Sequence, residues 1–242
     1  MTSATEICNR HDESLKKMSQ ESLPPSTDSV VRAVVFDLDG LMFNTEDVFN
    51  LAGRELLRRR GKEMTHEILS QMMGRRPHDA FGIMVEILDL TESIDDLLDE
   101  SRVIFEGLLN DHLAPMPGLF ELLDRIDARN LSKGVATSSP RPYLEDILGR
   151  YDLLERFHVT LTAEDVVHGK PHPEIYLSAA EQIGIRPEEM LVLEDSEAGT
   201  HAAARANAIV ISIPNEHSRH HDFSVASYIA ERLDDPQVLR HI

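Results

Sequence analysis

The chain carries one cysteine, Cys8, among 242 residues. No intrachain disulfide can form, and a reducing compartment is expected. Basic residues are also scarce: 24 Lys and Arg stand against 43 Asp and Glu, a formal net charge of -19. That balance argues against nucleic acid or an anionic membrane surface as a partner. No apolar run approaches the roughly 20 residues of a membrane span. The first thirty or so residues lack the hydrophobic centre of a secretory signal, so a cytoplasmic location is expected, and a monomer is favoured. No internal repeat and no low-complexity tract is present. Residues 1–29 are polar and end in "SLPPSTDS", which reads as a flexible extension with room for a short helix in "ESLKKMSQ".

Hydrophobic residues make up 41% of the chain, enough for a sizeable core. The densest apolar run is followed at once by acids. In "VVFDLDG", Val34, Val35 and Phe36 read as a strand buried on both faces. Asp37 and Asp39, two apart, then point the same way at its end.

The segments that follow change period. "TEDVFNLAGRELLRRRG" has Val48, Ala52 and Leu56 at helical spacing, three arginines at its end and Gly61 as a stop. "THEILSQMMG" ends likewise at Gly74, and "PHDAFGIMVEILDL" opens with proline. "SIDDLLDESRVIFEGLLNDH" is a long acidic amphipathic helix with Leu97, Ile104 and Leu108 expected on its buried side. After "APMPG" strands and helices alternate: "KGVATSS", "HVTLTAED", "MLVLEDS" and "AIVISIP" with helical stretches between them. Alternation of this kind means right-handed crossovers and a parallel sheet. The expected fold is α/β, a doubly wound parallel sheet (Rossmann-like core) with an inserted α-helical cap domain. The core takes residues 30–44 and 113–242, the cap residues 45–112.

Ligands of open parallel sheets bind beyond the carboxyl ends of the strands. There this sequence sets Asp37 and Asp39, Thr137 and Ser138, and Glu194 and Asp195, with Lys170 in the loop "HGKPHPE". Clustered carboxylates repel one another and call for a cation. Several oxygens with space for water suit Mg²⁺, which binds through a few carboxylates plus substrate phosphate. With Lys170 and a hydroxyl nearby, the natural guest is a phosphoryl group on a small metabolite. A positioned aspartate can accept that group, and a second can act as acid and base.

"FDLDG", "VATSS", "GKPHPE" and "VLEDSEAG", in that order, resemble the four motifs of the haloacid dehalogenase superfamily. "PMPG" and the helical insertion resemble its helical-cap phosphatase and β-phosphoglucomutase-like members. Any one motif is weak; all four at matching strand ends are specific. The resemblance spans roughly residues 31–213. It implies that Asp37 is the nucleophile, Asp39 the acid/base, and Lys170 the neutraliser of phosphoryl charge. It has Thr137 hold a phosphoryl oxygen, helped by backbone amides near Ser138. Mg²⁺ would be bound by Asp195, Asp37 and the Asp39 carbonyl, with Glu194 assisting. Arg75 and Arg76 follow Gly74 in a cap loop that faces the substrate in relatives.

Departures from the pattern narrow the function. True dehalogenases lack the second aspartate, so Asp39 favours phosphorus chemistry. Phosphonate-cleaving members need a cap lysine after a Met-Gly pair, where this chain has "MMGRRPHDA". Sugar-phosphate mutases usually carry a histidine early in the first cap helix, where Phe49 stands. Asn44 replaces an aspartate common in relatives. The expected function is a Mg²⁺-dependent phosphatase of a small organic phosphate monoester. The alternatives are a sugar-phosphate mutase and, in another class, a phosphoaspartate signalling receiver. Receivers are shorter and capless, and Asp39 would shorten the life of their phosphoaspartate. The run "EHSRHHD", with His217, His220 and His221, lacks regular helical spacing and reads as a surface loop. His168 and His172 flank Lys170 and are candidates to orient its loop.

Overall fold

Four buried residues, Ala33–Phe36, form β1 at the centre of the sheet. The computed structural model describes residues 30–72 and 77–242; the extension of residues 1–29 and the expected substrate-facing arginines Arg75 and Arg76 lie outside them. β1 pairs in parallel with β2 (Ser132–Ala136) on one side and β4 (Met190–Glu194) on the other. β3 (Val159–Leu161), β5 (Ile209–Ser212) and β6 (Tyr228–Ile229) complete an all-parallel sheet of order β3-β2-β1-β4-β5-β6. Burial on both faces explains why β1 reads as an unbroken apolar run. Val34 and Phe36 join one apolar cluster and Val35 the other, because successive side chains alternate across the sheet. Helices α5 (Leu119–Ala128) and α6 (Arg141–Gly149) supply the first cluster. Helices α7 (Glu174–Ile183) and α8 (Glu197–Arg205) supply the second.

Between β1 and α5 run α1 (Thr45–Arg58), α2 (His66–Met72), α3 (Pro77–Leu88) and α4 (Ile94–His112). They belong to the same compact unit as the sheet, Val31–Ile242. Val48, Ala52 and Leu56 of α1 are buried as their spacing predicts. In α4 the buried set is Leu97, Ile104, Phe105 and Leu109, while Leu108 is half-buried and packs at the margin. Spacing gave the face correctly and missed its centre by one residue, since α4 turns Phe105 and Leu109 inward together. The arginine-rich end of α1 ties it to α4. Arg60 reaches Glu92 at 2.7 Å and Glu100 at 2.6 Å, and Arg59 reaches Glu100 at 3.2 Å.

The two chain crossings into and out of these helices are clasped by Asn44. Its Oδ1 accepts from Ala114 N at 2.7 Å and its Nδ2 donates to His112 O at 3.2 Å. An aspartate here would keep the first bond and lose the second, having no donor. β6 has no counterpart in the sequence pattern. It is two exposed residues long, and its pairing to Ile211 and Ser212 leaves no apolar signal. α9 (Pro236–Arg240) closes the chain. Among the described residues no helix is long and apolar enough to cross a membrane.

Candidate active site

Register brings the motifs together. Phe36 lies opposite Val135 of β2 and Leu193 of β4, so Asp37, Thr137 and the Glu194–Asp195 pair follow at one sheet edge. Lys170 arrives from the loop before α7. Its Nζ donates to Asp37 Oδ1 at 2.5 Å, Glu194 Oε1 at 2.6 Å and Ala136 O at 2.9 Å. These three acceptors use every proton of the ammonium. Glu194, wholly buried, also accepts from Tyr176 OH at 2.5 Å and Ser196 Oγ at 3.0 Å.

Asp39 is held by a different set of groups. Tyr143 OH donates to its Oδ1 at 2.7 Å, Ser139 Oγ to its Oδ2 at 2.7 Å, and Thr137 Oγ1 to the same oxygen at 3.3 Å. Thr137 Oγ1 in turn accepts from Ser139 N at 3.0 Å, which pins the turn after β2. Ser138 is exposed in that turn, so the hydroxyl nearest Asp39 belongs to its neighbour. Burial and the adjacent Asp39 carboxylate push the Tyr143 hydroxyl up, which keeps it a donor.

Oxygens of Asp37, Glu194 and Asp195 lie within 4.8 Å of one another. All three residues are buried, and one ammonium faces them. The Asp37 carboxyl is pushed up to about 8 in all: burial raises it, Lys170 pulls it down, and the Glu194 and Asp39 charges raise it. Burial raises Asp195 as well, with the Asp37 and Glu194 charges adding to it. Burial works against the Lys170 ammonium, but Asp37 and Glu194 outweigh it and hold its pKa well above the ordinary lysine value. One ammonium cannot balance three carboxylates, and the surplus must be met by protons or by a cation. An all-oxygen donor set with a surplus of negative charge fits Mg²⁺ and not a thiophilic or nitrogen-seeking metal. Both Glu194 oxygens are already hydrogen-bonded, so Asp37 and Asp195 are the freer ligands. The Asp39 carboxylate is engaged by hydroxyls and stands outside the cluster.

A stability test follows from these shifts. Asp37 titrates near 3.8 in an unfolded chain and about 8 in the folded one. Its folded-state proton is therefore a stabilising contribution that is complete below about 4 and lost as pH rises through about 8. The chelator-treated protein should melt lower at pH ~8.5 than at pH ~6, and Mg²⁺ should raise the melting temperature most at the higher pH, where it displaces fewer protons. A metal-free melting curve independent of pH, together with no response to Mg²⁺, contradicts this.

Several neighbours were not apparent from motifs. Asn215 Nδ2 donates to Asp195 Oδ2 at 2.8 Å and to Gly40 O at 3.1 Å. Gly40 has φ +74°, and a Cβ there would lie 2.5 Å from Asp195 Oδ2. Only glycine lets the turn after β1 pass this close to a carboxylate. Glu46 in the first turn of α1 has an Oε2 with no hydrogen-bond partner, and burial raises its pKa. Of the histidine run, His217 is half-buried, with Nε2 2.7 Å from Asp47 Oδ1 and Nδ1 3.3 Å from Asn50 Nδ2. It joins the loop after β5 to α1, which the reading as a plain surface loop does not anticipate. His168 and His172 are exposed, and His168 Nδ1 lies 2.8 Å from Glu174 Oε2.

Fold and site together define an α/β enzyme that works at the carboxyl edge of a parallel sheet. Comparison with known proteins agrees with the motif resemblance. The family model for haloacid dehalogenase-like hydrolases matches residues 34–213. The phosphorylated carbohydrates phosphatase of Thermotoga maritima is 32% identical over 180 residues, spanning 73% of this chain and 82% of that protein. Validoxylamine A 7'-phosphate phosphatase of Streptomyces hygroscopicus subsp. limoneus is 33% identical over 188 residues, 77% of this chain and 87% of its own. The crystal structure of a protein described as a putative β-phosphoglucomutase from Thermotoga maritima superposes with a TM-score of 0.78 at 27% identity, covering 88% of this chain and all of that one. The chain belongs to the haloacid dehalogenase-like hydrolase family, and as an enzyme it is a phosphoric monoester hydrolase of that type.

Proposed function

We propose that the chain is a Mg²⁺-dependent phosphatase that hydrolyses a small organic phosphate monoester through a phosphoaspartate on Asp37. The observation that carries this reading is the division of labour between the two aspartates. Asp37 sits in the cation-seeking cluster with Lys170 2.5 Å away, whereas Asp39 is held by hydroxyls alone. A phosphoryl acceptor benefits from neutralising groups around it, and an acid/base from neighbours that accept and give protons.

In the first half-reaction an Asp37 oxygen bonds to phosphorus as the ester P–O bond breaks, and Asp39 gives its proton to the departing oxygen. In the second, Asp39 takes a proton from water as the water oxygen bonds to phosphorus. The Asp37–phosphorus bond then breaks and inorganic phosphate leaves. Thr137, with backbone amides near Ser138, holds the phosphoryl oxygens, and Lys170 neutralises the charge of the phosphoryl group and of Asp37. Mg²⁺ on Asp37 and Asp195, with the Asp39 carbonyl and Glu194 in support, would supply charge neutralisation and orientation. Residues 45–112 are assigned as a cap over the core, and Arg75 and Arg76 as substrate contacts on the cap side. These assignments follow the family resemblance.

The mutase reading differs only in the fate of the phosphoaspartate. Phe49 favours hydrolysis: its ring stacks on Phe105 with centroids 4.0 Å apart and offers Asp39 no proton partner. The two relatives named as phosphatases support the same choice. Incubation with β-glucose 1-phosphate and a trace of glucose 1,6-bisphosphate is the test. Release of inorganic phosphate is expected, with no need for the bisphosphate. Conversion to glucose 6-phosphate with negligible free phosphate would establish the mutase instead.

A further inference from the structure

Beside the aspartates lies a cleft of about 910 Å³ between α1, α3 and α4 on one side and α6 on the other. Phe49, Phe81, Leu98, Phe105, Leu109 and Tyr143 give it its character. Phe49 and Phe105 are stacked with 12° between their planes, and the Tyr143 ring centroid is 6.0 Å from that of Phe105. Tyr143 links this wall to the chemistry, because its hydroxyl is the group 2.7 Å from Asp39. Phe49 nonetheless leaves 49% of its surface open to water. An aromatic wall left uncovered beside a reacting centre marks a binding surface more than a packing defect.

Charge sharpens the assignment. Arg102 is paired with Glu106 at 3.3 Å and Asp99 at 3.5 Å, and Arg150 with Asp146 at 3.0 Å. The described lining of the cleft thus has no unmatched cation, and three carboxylates stand on it beside two guanidiniums. A polyhydroxylated chain would lose water against a lining rich in rings and prolines whose carboxylates and guanidiniums already pair with one another.

We propose that this cleft takes the alcohol half of the substrate, and that this half is a flat aromatic or apolar group. The proposal rests on the phosphatase reading. The ring lies against the open face of Phe49, which Phe105 backs, the ester oxygen faces Asp39 beside Tyr143, and the phosphoryl group reaches Asp37. The alcohol that departs is then the species the cleft must release.

Two primary-alcohol esters with leaving oxygens of similar basicity make the comparison: 2-(2-naphthyl)ethyl phosphate and glucose 6-phosphate, assayed with the full chain in saturating Mg²⁺. The aromatic ester is expected to have a kcat/KM at least about 10-fold higher. Phe49→Ala should shrink that preference by about 10-fold, chiefly through KM for the aromatic ester. Phe49→Leu, which keeps apolar bulk without the flat face, should fall between; its melting temperature and that of Phe49→Ala check that the fold survives. Binding of 2-(2-naphthyl)ethanol, read by its own fluorescence, probes the cleft without turnover and should weaken about 10-fold in Phe49→Ala. Equal or better kcat/KM on the sugar phosphate, or an alcohol that does not bind, overturns the cleft assignment and leaves the phosphatase reading standing. Binding of the alcohol without phosphate release from either ester overturns the phosphatase reading and keeps the aromatic ligand.

Discussion

Asp37→Asn is expected to lower phosphate-ester hydrolysis on the order of 10⁴-fold or more, with the fold intact. An amide is no acceptor for a phosphoryl group, so the loss falls on kcat. Shape is preserved, and the asparagine oxygen still accepts from Lys170, which keeps its bonds to Glu194 Oε1 and Ala136 O. Above about pH 8, where the Asp37 carboxyl is ionised, the change removes one negative charge from a cluster of three buried carboxylates facing one ammonium. Below it the change spares the folded chain the uptake of a proton. The melting temperature of the metal-free variant should therefore equal or exceed that of the parent. Steady-state assay and thermal unfolding read the two effects separately. Turnover within about 10-fold of the parent would remove Asp37 from the role of nucleophile.

Gly199→Ala is expected to be the most destabilising single-methyl change at the site. A Cβ at Gly199 would overlap the Glu194 carboxylate, which is wholly buried and hydrogen-bonded on both oxygens. Displacing Glu194 breaks its bonds with Lys170, Tyr176 and Ser196 together. A buried charge left without partners costs about 3–5 kcal/mol, a fall in Tm of roughly 6–20 °C for a chain of this size. If α8 shifts instead, its cap is lost, because Ser196 Oγ accepts from Gly199 N at 3.1 Å. A variant that melts within about 2 °C of the parent would mean that Glu194 is not fixed as described.

The sheet was legible because burial on both faces leaves its mark in the residues themselves. β1 and β4 are continuous apolar runs, and their acids begin where the runs stop. Strand ends converge by topology alone, which brings Asp37, Thr137, Glu194 and Asp195 together, whereas Lys170 comes from a loop that only its motif marks. The residues that tune the site were not legible. Tyr143 meets Asp39 from 104 positions away and Asn215 meets Gly40 from 175 away, through hydrogen bonds that no spacing rule encodes. Ser139 carries no motif of its own and meets Asp39 only because the turn after β2 brings its hydroxyl there. Asn44 bonds His112 and Ala114 from 68 and 70 positions away, a return that no local pattern encodes. The Phe49–Phe105 stack joins two helices whose periodicity specifies a face and not a rotation to the degree that stacking demands.

The central claim is the phosphoaspartate, and it is tested most directly by trapping it. Asp39→Asn retains the acceptor at Asp37 and removes the group that activates water, so the second half-reaction should stall. The variant is mixed with an activated phosphate ester, whose leaving oxygen needs no proton, in the presence of Mg²⁺. It is quenched in acid within one turnover and digested, and the peptides are analysed by mass spectrometry. The account predicts one phosphoryl group on the peptide that contains Asp37, lost on treatment with hydroxylamine and absent from Asp37→Asn. Phosphate release by a competent enzyme with no phosphoryl group on that peptide, or with one on a different residue, would contradict it.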